Sequence, residues 1–545
     1  MTENRFYWML LFCGWLFLVV ISLWLRPPLP MDETRYLAVA WSMWLDADWM
    51  VPSLNGEAYS HKPPLLFWLM NLGWHIFGVV EWWPRLIAPL FGFGCLIVVK
   101  KLAEQLWPED AIIAHIAPLI LFGTLFWALF GTLTMFDTLL AFFTLVAIYG
   151  IICAWRTGSW AGFLLAGVAV GFGILAKGPA IMVHILPVAL SAPWWGPKLS
   201  CVGSQKFYKI WFLGVLSIIL IGILIGCLWA VPAAILGGEE YKNAIFWGQS
   251  ADRLVNSFAH AKPFWWYAVT IPILLLPWVT WGRAWRGLSR IYQNFDGAVG
   301  LCLIWLGSSF VIFSAISGKQ LHYLLPEFPA FSLMIAWALR QSIGCKISRK
   351  ERFQTAWIFI FSGIILTSAT IEPLYRQLST NLKNIIIFSD TMWAIVIIIV
   401  GVLLVLPQNL NLKQVVSCLV ACAVATTISI HLIASNFLNV FYDLRPISVE
   451  LRRLQDKGYA VANATKYHGQ FHFLGRLEQP ISVVGQKSND LAEFLAANKN
   501  SRIVAYYSSL PKNVTPLSTF KFRRYVAAIL DGNDVLKDLD LIDRN

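Results

Sequence analysis

The sequence has few charged residues for its length. Asp, Glu, Lys and Arg make up 13% of the 545 residues, whereas hydrophobic residues make up 58% and the mean hydropathy is +0.63. A soluble chain of this size has too little interior to bury so much apolar surface. The composition therefore excludes a soluble globular protein and predicts a polytopic α-helical membrane protein.

Cysteine is scarce where disulfides would form. All nine cysteines fall in predicted membrane spans or in loops that we assign to the cytoplasm, and no Cys-x-x-Cys pair occurs. We therefore expect no disulfides, and the cysteine spacing indicates no metal or redox site. The sequence also contains no repeat of fixed period and no low-complexity tract, which argues against a solenoid.

Hydropathy over windows of about 19 residues predicts about thirteen transmembrane helices. They lie at 6–25, 84–100, 112–131, 135–154, 161–175, 180–195, 209–236, 264–281, 297–316, 322–341, 355–372, 390–406 and 414–436. The first span lacks a small-residue cleavage site, so we expect a retained anchor and not a signal peptide. The stretch 65–78 is short and interrupted by Asn71 and His75, which favours a helix in the membrane interface over a further span.

A cytoplasmic N-terminus places Lys and Arg clusters in the cytoplasm at six successive loops, as the positive-inside rule requires. The net charge of +12 therefore reflects orientation, and we expect no nucleic-acid partner. We predict a transmembrane domain at 1–442, with a first periplasmic loop at about 26–83, and a periplasmic domain at 443–545. In that last part, short apolar runs alternate with helical patterns, which predicts a small α/β domain.

Polar residues collect on the side of the membrane that this topology makes periplasmic. One-sided gathering of acids, bases and cations indicates a common site. The candidates are Asp32, Glu33, Arg35, Tyr36, His61, Lys62, Asp137, Lys177, Asp252, Arg253, His260, Lys262, Lys319, His322 and Tyr323.

This mixture of residue types suits transfer of a sugar from a phospholipid-linked donor. A carboxylate can orient or deprotonate the acceptor hydroxyl, and cations can neutralise the phosphate that leaves. Lys319, His322 and Tyr323 are spaced so that they would share one face of a helix and could hold one phosphate together.

Simpler interpretations stay open for four of these residues. Asp32 and Asp137 could each cap the start of a helix. Lys177 could be a loop charge that reaches out to water. For Lys319, a structural role and a role at the site are equally compatible with the sequence.

Several ordered motifs resemble those of a known family. They are Asp32-Glu33-x-Arg35-Tyr36, Lys62-Pro63, Phe136-Asp137, Lys177-Gly178-Pro179, Arg253…His260…Pro263-Phe264-Trp265-Trp266-Tyr267 and His322-Tyr323-Leu324-Leu325-Pro326. From about residue 5 to 340 the sequence resembles the lipid A aminoarabinose transferases and the related protein O-mannosyltransferase-like enzymes. These are membrane glycosyltransferases of the C-type fold.

The resemblance implies inverting transfer of a sugar from undecaprenyl phosphate to lipid A or another envelope acceptor at the bacterial inner membrane. It implies that Asp32 is the catalytic carboxylate and Asp137 its partner. It implies further that the donor phosphate is contacted by Lys62 and Tyr323, with Arg253, Lys262 and Lys319 as additional candidates, and that Glu33, Arg35, Tyr36, Lys177 and His322 belong to the site. The family usually has Glu where this sequence has His61, so the sugar and the acceptor stay open.

His61 and His260 could bind a divalent cation such as Zn²⁺, or form a hydrogen-bonded pair near the lipid phosphate. No organic cofactor is expected; the expected partners are the lipid-linked donor, the acceptor and membrane lipids.

A transporter would carry charges inside its spans, which are nearly free of them here. In a scaffold protein, the converging charges would have no function. The main alternative is a transferase that modifies protein hydroxyl groups.

Overall fold

The computed structural model describes residues 2–199, 205–248, 261–342, 347–368, 383, 390–406, 410–485 and 490–542. Asp252, Arg253, His260, Cys201 and Cys345 lie outside the described residues. The seven described cysteines are free thiols.

Long apolar helices dominate the first 440 residues. Seven described segments are long and apolar enough to cross a membrane: Tyr7–Leu25, Trp82–Leu106, Phe136–Thr157, Trp160–Leu199, Ile210–Leu236, Gly297–Ala315 and Leu412–Asp456. Three apolar helices are shorter, namely Leu65–Phe77, Ala111–Phe122 and Trp393–Val405. The chain is therefore a multi-pass membrane protein, as its composition predicts. The total of thirteen spans stays a prediction.

Several predicted spans are broken into shorter helices. The span at 112–131 consists of Ala111–Phe122 and Leu125–Phe130, and the one at 264–281 consists of Trp266–Leu274 and a 3₁₀ turn at Trp278–Thr280. Proline accounts for part of this, because it lacks an N–H donor and obstructs the preceding turn. The other broken spans consist of Ile181–Leu190 with Ala192–Trp195, and of the 3₁₀ helix Leu321–Glu327 with Phe328–Arg340.

The remaining helices complete the membrane region and its loops. They are Thr2–Leu25, Asp32–Asp46, Trp160–Lys177, Gln205–Leu236, Gly238–Asn243, Gly282–Leu288 and Arg349–Ser368, with a π-helical turn at Ala244–Gly248 and 3₁₀ turns at Gly178–Ala180 and Gly196–Leu199. We call Asp32–Asp46 the first-loop helix.

The helices Phe136–Thr157 and Trp160–Lys177 form a tight antiparallel hairpin. A Cβ atom on Gly162 would lie 2.6 Å from the Gly150 carbonyl oxygen. Small residues let two backbones approach closely inside a membrane, where packing rather than hydrophobic burial holds helices together. This hairpin brings the start of its first helix and the end of its second to the same side of the membrane region.

The last hundred residues form an α/β domain around a five-stranded sheet. From one edge to the other, its strands lie in the order Ser482–Val483, Ala460–Asn463, Ser501–Tyr507, Tyr525–Asp531 and Ser518–Phe522. The strands are β3 Ala460–Asn463, β4 Ser482–Val483, β5 Ser501–Tyr507, β6 Ser518–Phe522 and β7 Tyr525–Asp531; β3 is parallel to β4 and β5, and β7 is antiparallel to β5 and β6. The predicted α/β fold of this region is confirmed.

Helices cover both faces of this sheet. Leu491 and Leu495 of the helix Asp490–Ala497 pack with Ile503 on one face. Leu451 of the helix Arg445–Asp456 packs with Val504 on the other. Short elements at His472–Gly475, Gly532–Lys537 and Leu539–Leu541 complete the domain.

The C-terminal domain rests on the first loop. The first-loop helix donates a hydrogen bond from Trp41 Nε1 to the Leu477 carbonyl oxygen at 2.8 Å. Next to the hairpin of β1 (Ser53–Leu54) and β2 (Glu57–Ala58), the Asn55 side chain exchanges two hydrogen bonds with the Ile481 backbone. Trp74 stacks on Phe473 with ring centroids 5.2 Å apart. The first loop and the last domain therefore form one layer over the membrane helices.

Candidate functional site

The helix hairpin places a carboxylate beside an ammonium group. Asp137 lies in the first turn of Phe136–Thr157, and Lys177 ends Trp160–Lys177. The two side chains form an ion pair, in which the carboxylate is 3% exposed. The capping interpretation of Asp137 is wrong, because the N-cap is Met135 and no side chain caps this helix. Lys177 likewise points at a carboxylate and not into water.

The 3₁₀ helix Leu321–Glu327 brings two more predicted residues to this pair. His322 Nε2 lies 4.0 Å from Asp137 Oδ2, and the Lys177 ammonium lies 4.8 Å from the centroid of the Tyr323 ring. The imidazole of His322 also stacks on Phe130, with centroids 5.3 Å apart. Asp137, Lys177, His322 and Tyr323 therefore form one cluster, although they come from three separate segments.

The first loop supplies the second carboxylate. Asp32 is the first residue of the first-loop helix and forms an ion pair with Arg35, yet half of its side chain remains exposed. It caps nothing, since the N-cap position is Met31 and no side-chain cap is present. The charge of Asp32 acts on His322 together with those of Asp137, Lys177 and Lys62. Asp32 and Asp137 are therefore both close enough to His322 for their charges to act on its imidazole.

Phe136 joins the first loop to the hairpin. Its ring packs edge-on against Tyr36, with centroids 4.9 Å apart. The Lys62 ammonium lies 5.8 Å from the centroid of the same ring, and the charge of Lys62 acts on the neighbouring Asp137. The Lys62 side chain therefore lies at the edge of the same cluster, as the predicted phosphate contact would have to. Tyr59, which packs against His61 and Phe67, was not predicted.

The Glu33 side chain is buried and paired with groups other than those of the cluster. It is 2% exposed and forms an ion pair with Arg26. Its carboxylate also accepts hydrogen bonds from the backbone N–H groups of Leu29 at 2.8 Å and Thr134 at 2.7 Å. Burial by itself would raise the pKa of Glu33, but the charge and hydrogen bonds of Arg26 overcome this and lower the pKa to about 2. Glu33 is a positioning residue and not part of the open site.

Arg26 and Arg85 were missed by sequence reasoning, although they support this arrangement. The Arg26 guanidinium donates to the Thr132 carbonyl oxygen at 3.0 Å, and Arg85 donates to the Arg26 carbonyl oxygen at 2.6 Å. Glu81 then connects Arg85 to Arg445 of the C-terminal domain. For Arg26, its position directly after the first membrane span was the available signal.

The expectation that Lys319 shares a helical face with His322 and Tyr323 is wrong. The 3₁₀ helix begins only at Leu321. The buried Lys319 ammonium donates instead to the backbone carbonyl oxygen of Lys262 at 3.0 Å and to that of Ile316. Lys262 in turn donates its N–H to the Ser317 carbonyl oxygen at 3.1 Å. The Lys319 side chain thus holds two loop segments together. A phosphate contact for Lys262 stays a prediction.

Of the two histidines predicted to bind a metal ion, the structure describes only His61. His61 packs against the ring of Tyr59, with centroids 5.3 Å apart, whereas His260 lies outside the described residues. Among the residues that the structure describes, no group of three or more His, Cys, Asp or Glu side chains is placed to hold a metal ion. Arg253, also outside them, stays a predicted phosphate contact.

The cluster has the parts that sugar transfer from a phosphate requires. Asp32 is a carboxylate open to solvent, so an acceptor hydroxyl can reach it. Asp137 is neutralised by Lys177 and buried, which suits it to orienting its neighbours. The cations of Lys62 and Lys177 and the hydroxyl of Tyr323 can stabilise charge that develops on a leaving phosphate.

Comparisons of sequence find similarity to sugar transferases. Residues 61–231 match the family model of dolichyl-phosphate-mannose-protein mannosyltransferases. The undecaprenyl phosphate-alpha-4-amino-4-deoxy-L-arabinose arabinosyl transferase of Edwardsiella ictaluri is 29% identical over 349 residues, which are 61% of this chain and 60% of that protein. The match thus spans about three fifths of the length of this curated relative.

Comparisons of structure extend over nearly the whole chain. The crystal structure of ArnT from Cupriavidus metallidurans in the apo state matches with a TM-score of 0.70 and 18% identity, covering 99% of both chains. The structure of the same protein bound to undecaprenyl phosphate matches with a TM-score of 0.68, covering 96% of this chain and 98% of that one. The resemblance drawn from the motifs is confirmed: the chain is similar to the lipid A aminoarabinose transferases and has their C-type membrane glycosyltransferase fold.

Proposed function

We propose that the chain is an inverting glycosyltransferase that uses a polyprenyl-phosphate sugar. It moves aminoarabinose or another sugar from undecaprenyl phosphate to lipid A or a related envelope acceptor. The single observation that carries this proposal is the half-exposed Asp32 carboxylate, whose charge acts on His322 together with the charges of Lys62 and Lys177. The name of the Edwardsiella ictaluri relative and the undecaprenyl phosphate bound to the Cupriavidus metallidurans protein support the choice of donor.

In the proposed step, the acceptor hydroxyl oxygen attacks the anomeric carbon of the sugar from the face opposite to the phosphate. The bond between that carbon and the phosphate oxygen breaks, and undecaprenyl phosphate leaves with the electron pair. The hydroxyl proton passes to Asp32. Lys62 and Lys177 stabilise the negative charge on the departing phosphate, with Tyr323 donating a hydrogen bond.

The experiment compares lipid A by mass spectrometry from cells with the gene, without it, and with Asp32→Asn. We expect an added sugar mass only with the wild-type chain, and a transfer rate lowered roughly 10²–10⁴-fold by Asp32→Asn. Asp46 lies exposed at the other end of the same helix and bonds only Ser53 within the described residues, so Asp46→Asn is the matched control and should transfer normally. Wild-type transfer by Asp32→Asn would refute the assignment.

A protein acceptor is the second candidate. The match of residues 61–231 to protein mannosyltransferases favours it. Glycan analysis of envelope proteins from the same cells separates the two: a sugar on protein hydroxyl groups with unmodified lipid A would select this alternative.

Location and metal content complete the proposal. The chain lies in the bacterial inner membrane with a cytoplasmic N-terminus and with its C-terminal domain in the periplasm. A reporter fused to the C-terminus that is active only in the periplasm tests this orientation. A divalent cation at His61 and His260 would be detected as metal in the purified protein and lost in His61→Ala.

A further inference from the structure

Two ionisable side chains meet within segments that the sequence predicts to span the membrane. His184 lies in the helix Ile181–Leu190, and Glu327 ends the 3₁₀ helix Leu321–Glu327. His184 Nδ1 lies 2.5 Å from Glu327 Oε1, and the two residues are only 1% and 5% exposed. Ionisable residues inside membrane segments are costly and usually serve a function. This pair therefore needs an explanation.

Local structure and stability do not explain the pair. Glu327 occupies the N-cap position of the helix that follows it, but its side chain does not cap that helix. In the described part of the chain, Glu327 Oε2 and His184 Nε2 are buried and have no hydrogen-bond partner. Each such atom lowers stability, because its bonds to water are lost without replacement. Two apolar side chains of similar volume would stabilise this place at least as well.

The pair joins the two segments that carry candidate phosphate contacts. Lys177 lies seven residues before His184, and Tyr323 lies four residues before Glu327. The Lys177 ammonium in turn lies 4.8 Å from the centroid of the Tyr323 ring. The two segments therefore meet twice, once inside the protein at the pair and once at the site. A shift of one segment at the pair would change the separation of Lys177 and Tyr323.

Aromatic packing stiffens this connection. The ring of Phe313 contacts both segments, with centroids 5.3 Å from His184 and 6.1 Å from Tyr323. The start of the 3₁₀ helix is held by the buried Tyr267, whose hydroxyl donates to the Gln320 carbonyl oxygen at 2.9 Å. Because a 3₁₀ helix has poorer internal hydrogen bonds than an α-helix, the position of Tyr323 depends on these anchors at its two ends.

We propose that His184 and Glu327 are positioning residues for the transfer. Their hydrogen bond holds the Lys177 ammonium and the Tyr323 hydroxyl at the separation that stabilises the departing phosphate. This inference rests on the proposed glycosyl transfer, and neither residue of the pair touches the substrate. Stabilisation of developing charge requires donors that are in place before the reaction. A displacement of about 1 Å can lower a rate about 10²-fold.

The first test replaces the pair by apolar side chains. His184→Met/Glu327→Met removes the hydrogen bond together with both unpartnered atoms. We expect this double variant to melt in detergent no lower than the wild type, whereas its kcat should fall about 10²-fold and its KM for the acceptor should stay unchanged. A wild-type kcat would overturn the proposal, and so would a lower melting temperature that accompanies the fall in kcat.

A conservative variant and a control variant sharpen this test. Glu327→Gln can still share a hydrogen bond with either tautomer of His184, because an amide both donates and accepts, so it should retain most of the kcat that Glu327→Met loses. Glu351 is a buried carboxylate paired with Arg283, in a helix that carries no residue of the cluster. Glu351→Gln should lower the melting temperature without changing kcat. Equal falls in kcat in Glu327→Gln and Glu327→Met would overturn the proposal.

A binding experiment separates this inference from the proposed function. Binding of undecaprenyl phosphate to the purified full-length protein, followed by tryptophan fluorescence, requires no transfer. We expect the Kd to be about tenfold higher for His184→Met/Glu327→Met than for the wild type. Equal Kd values would overturn the positioning role alone. A wild-type chain that does not bind undecaprenyl phosphate would overturn the proposed function and the positioning role together.

Discussion

Glu33 and Thr134 are joined by a 2.7 Å hydrogen bond from the Thr134 N–H to Glu33 Oε1. Glu33 directly follows Asp32, and Thr134 lies three residues before Asp137. The bond therefore joins the segment that carries Asp32 to the segment that carries Asp137, although neither of these two carboxylates takes part in it.

Replacing this buried carboxylate should destabilise the protein. Glu33→Gln leaves the Arg26 charge buried without its partner, and we expect a loss of roughly 3–5 kcal/mol in the free energy of unfolding. Thermal unfolding in detergent, followed by tryptophan fluorescence, measures it. The control is Glu478→Gln, which breaks an exposed pair with Arg452 and should cost less than about 1 kcal/mol. Equal shifts in the two variants would contradict the positioning role.

The ionisation of Glu33 should make the stability of the protein depend on pH. The pKa of Glu33 is lowered from 4.5 to about 2 in the folded protein. Its stabilisation is therefore fully present above pH 4.5 and is lost as the pH falls towards 2. The difference in melting temperature between wild type and Glu33→Gln should narrow below pH 4.5. A difference that stays constant from pH 7 to pH 3 would contradict this prediction.

Asp137 and Lys177 should behave as a coupled pair. Lys177→Met leaves a carboxylate that is 3% exposed without its cation, at a cost of roughly 3–5 kcal/mol. Adding Asp137→Asn should recover part of that loss, with a coupling energy of about 1–3 kcal/mol. A double-mutant cycle of melting temperatures tests this. The exposed pair Lys242 and Glu239 is the control, and strict additivity at 137 and 177 would refute the coupling.

Lys62 should act on the donor and not on the acceptor. Removing its charge in Lys62→Ala should raise the KM for the polyprenyl-phosphate donor about tenfold and leave the KM for the acceptor unchanged. Initial rates at varied donor concentration provide the measurement. Lys101→Ala removes an exposed charge near the far end of the helix Trp82–Leu106 and should change neither constant. A rise in the acceptor KM alone would reverse the assignment.

The grouping of site residues could be predicted because the membrane restricts where charges lie. Asp137, Lys177 and His322 all fall at the ends of apolar segments on one side, and their convergence follows from counting spans. Lys319 fits the same rule but serves the loop, because ammonium groups satisfy buried carbonyl oxygens as readily as phosphates. Sequence alone does not separate these two uses.

The contribution of the C-terminal domain to the site could not be predicted. The Arg523 guanidinium donates a hydrogen bond to the carbonyl oxygen of Pro30, 493 residues away in the sequence, and no local pattern reports such a pairing. The α/β fold of the domain follows from its alternating apolar runs, but its docking on the first loop depends on individual contacts such as Trp41 with Leu477. Glu33 was predicted to belong to the site and lies in the correct region, but its side chain points into the protein. Sequence spacing does not show which way a side chain points.

The contact of Arg523 with Pro30 also bears on how the protein is made. The segment that carries Asp32 is synthesised well before Arg523, which follows Pro30 by 493 residues. Pairings over such long stretches of chain form late in folding. The contact of Arg523 with the segment before Asp32 therefore forms only after Arg523 has been synthesised and the domain that carries it has folded, so a nascent chain that stops short of Arg523 carries the carboxylate without this contact.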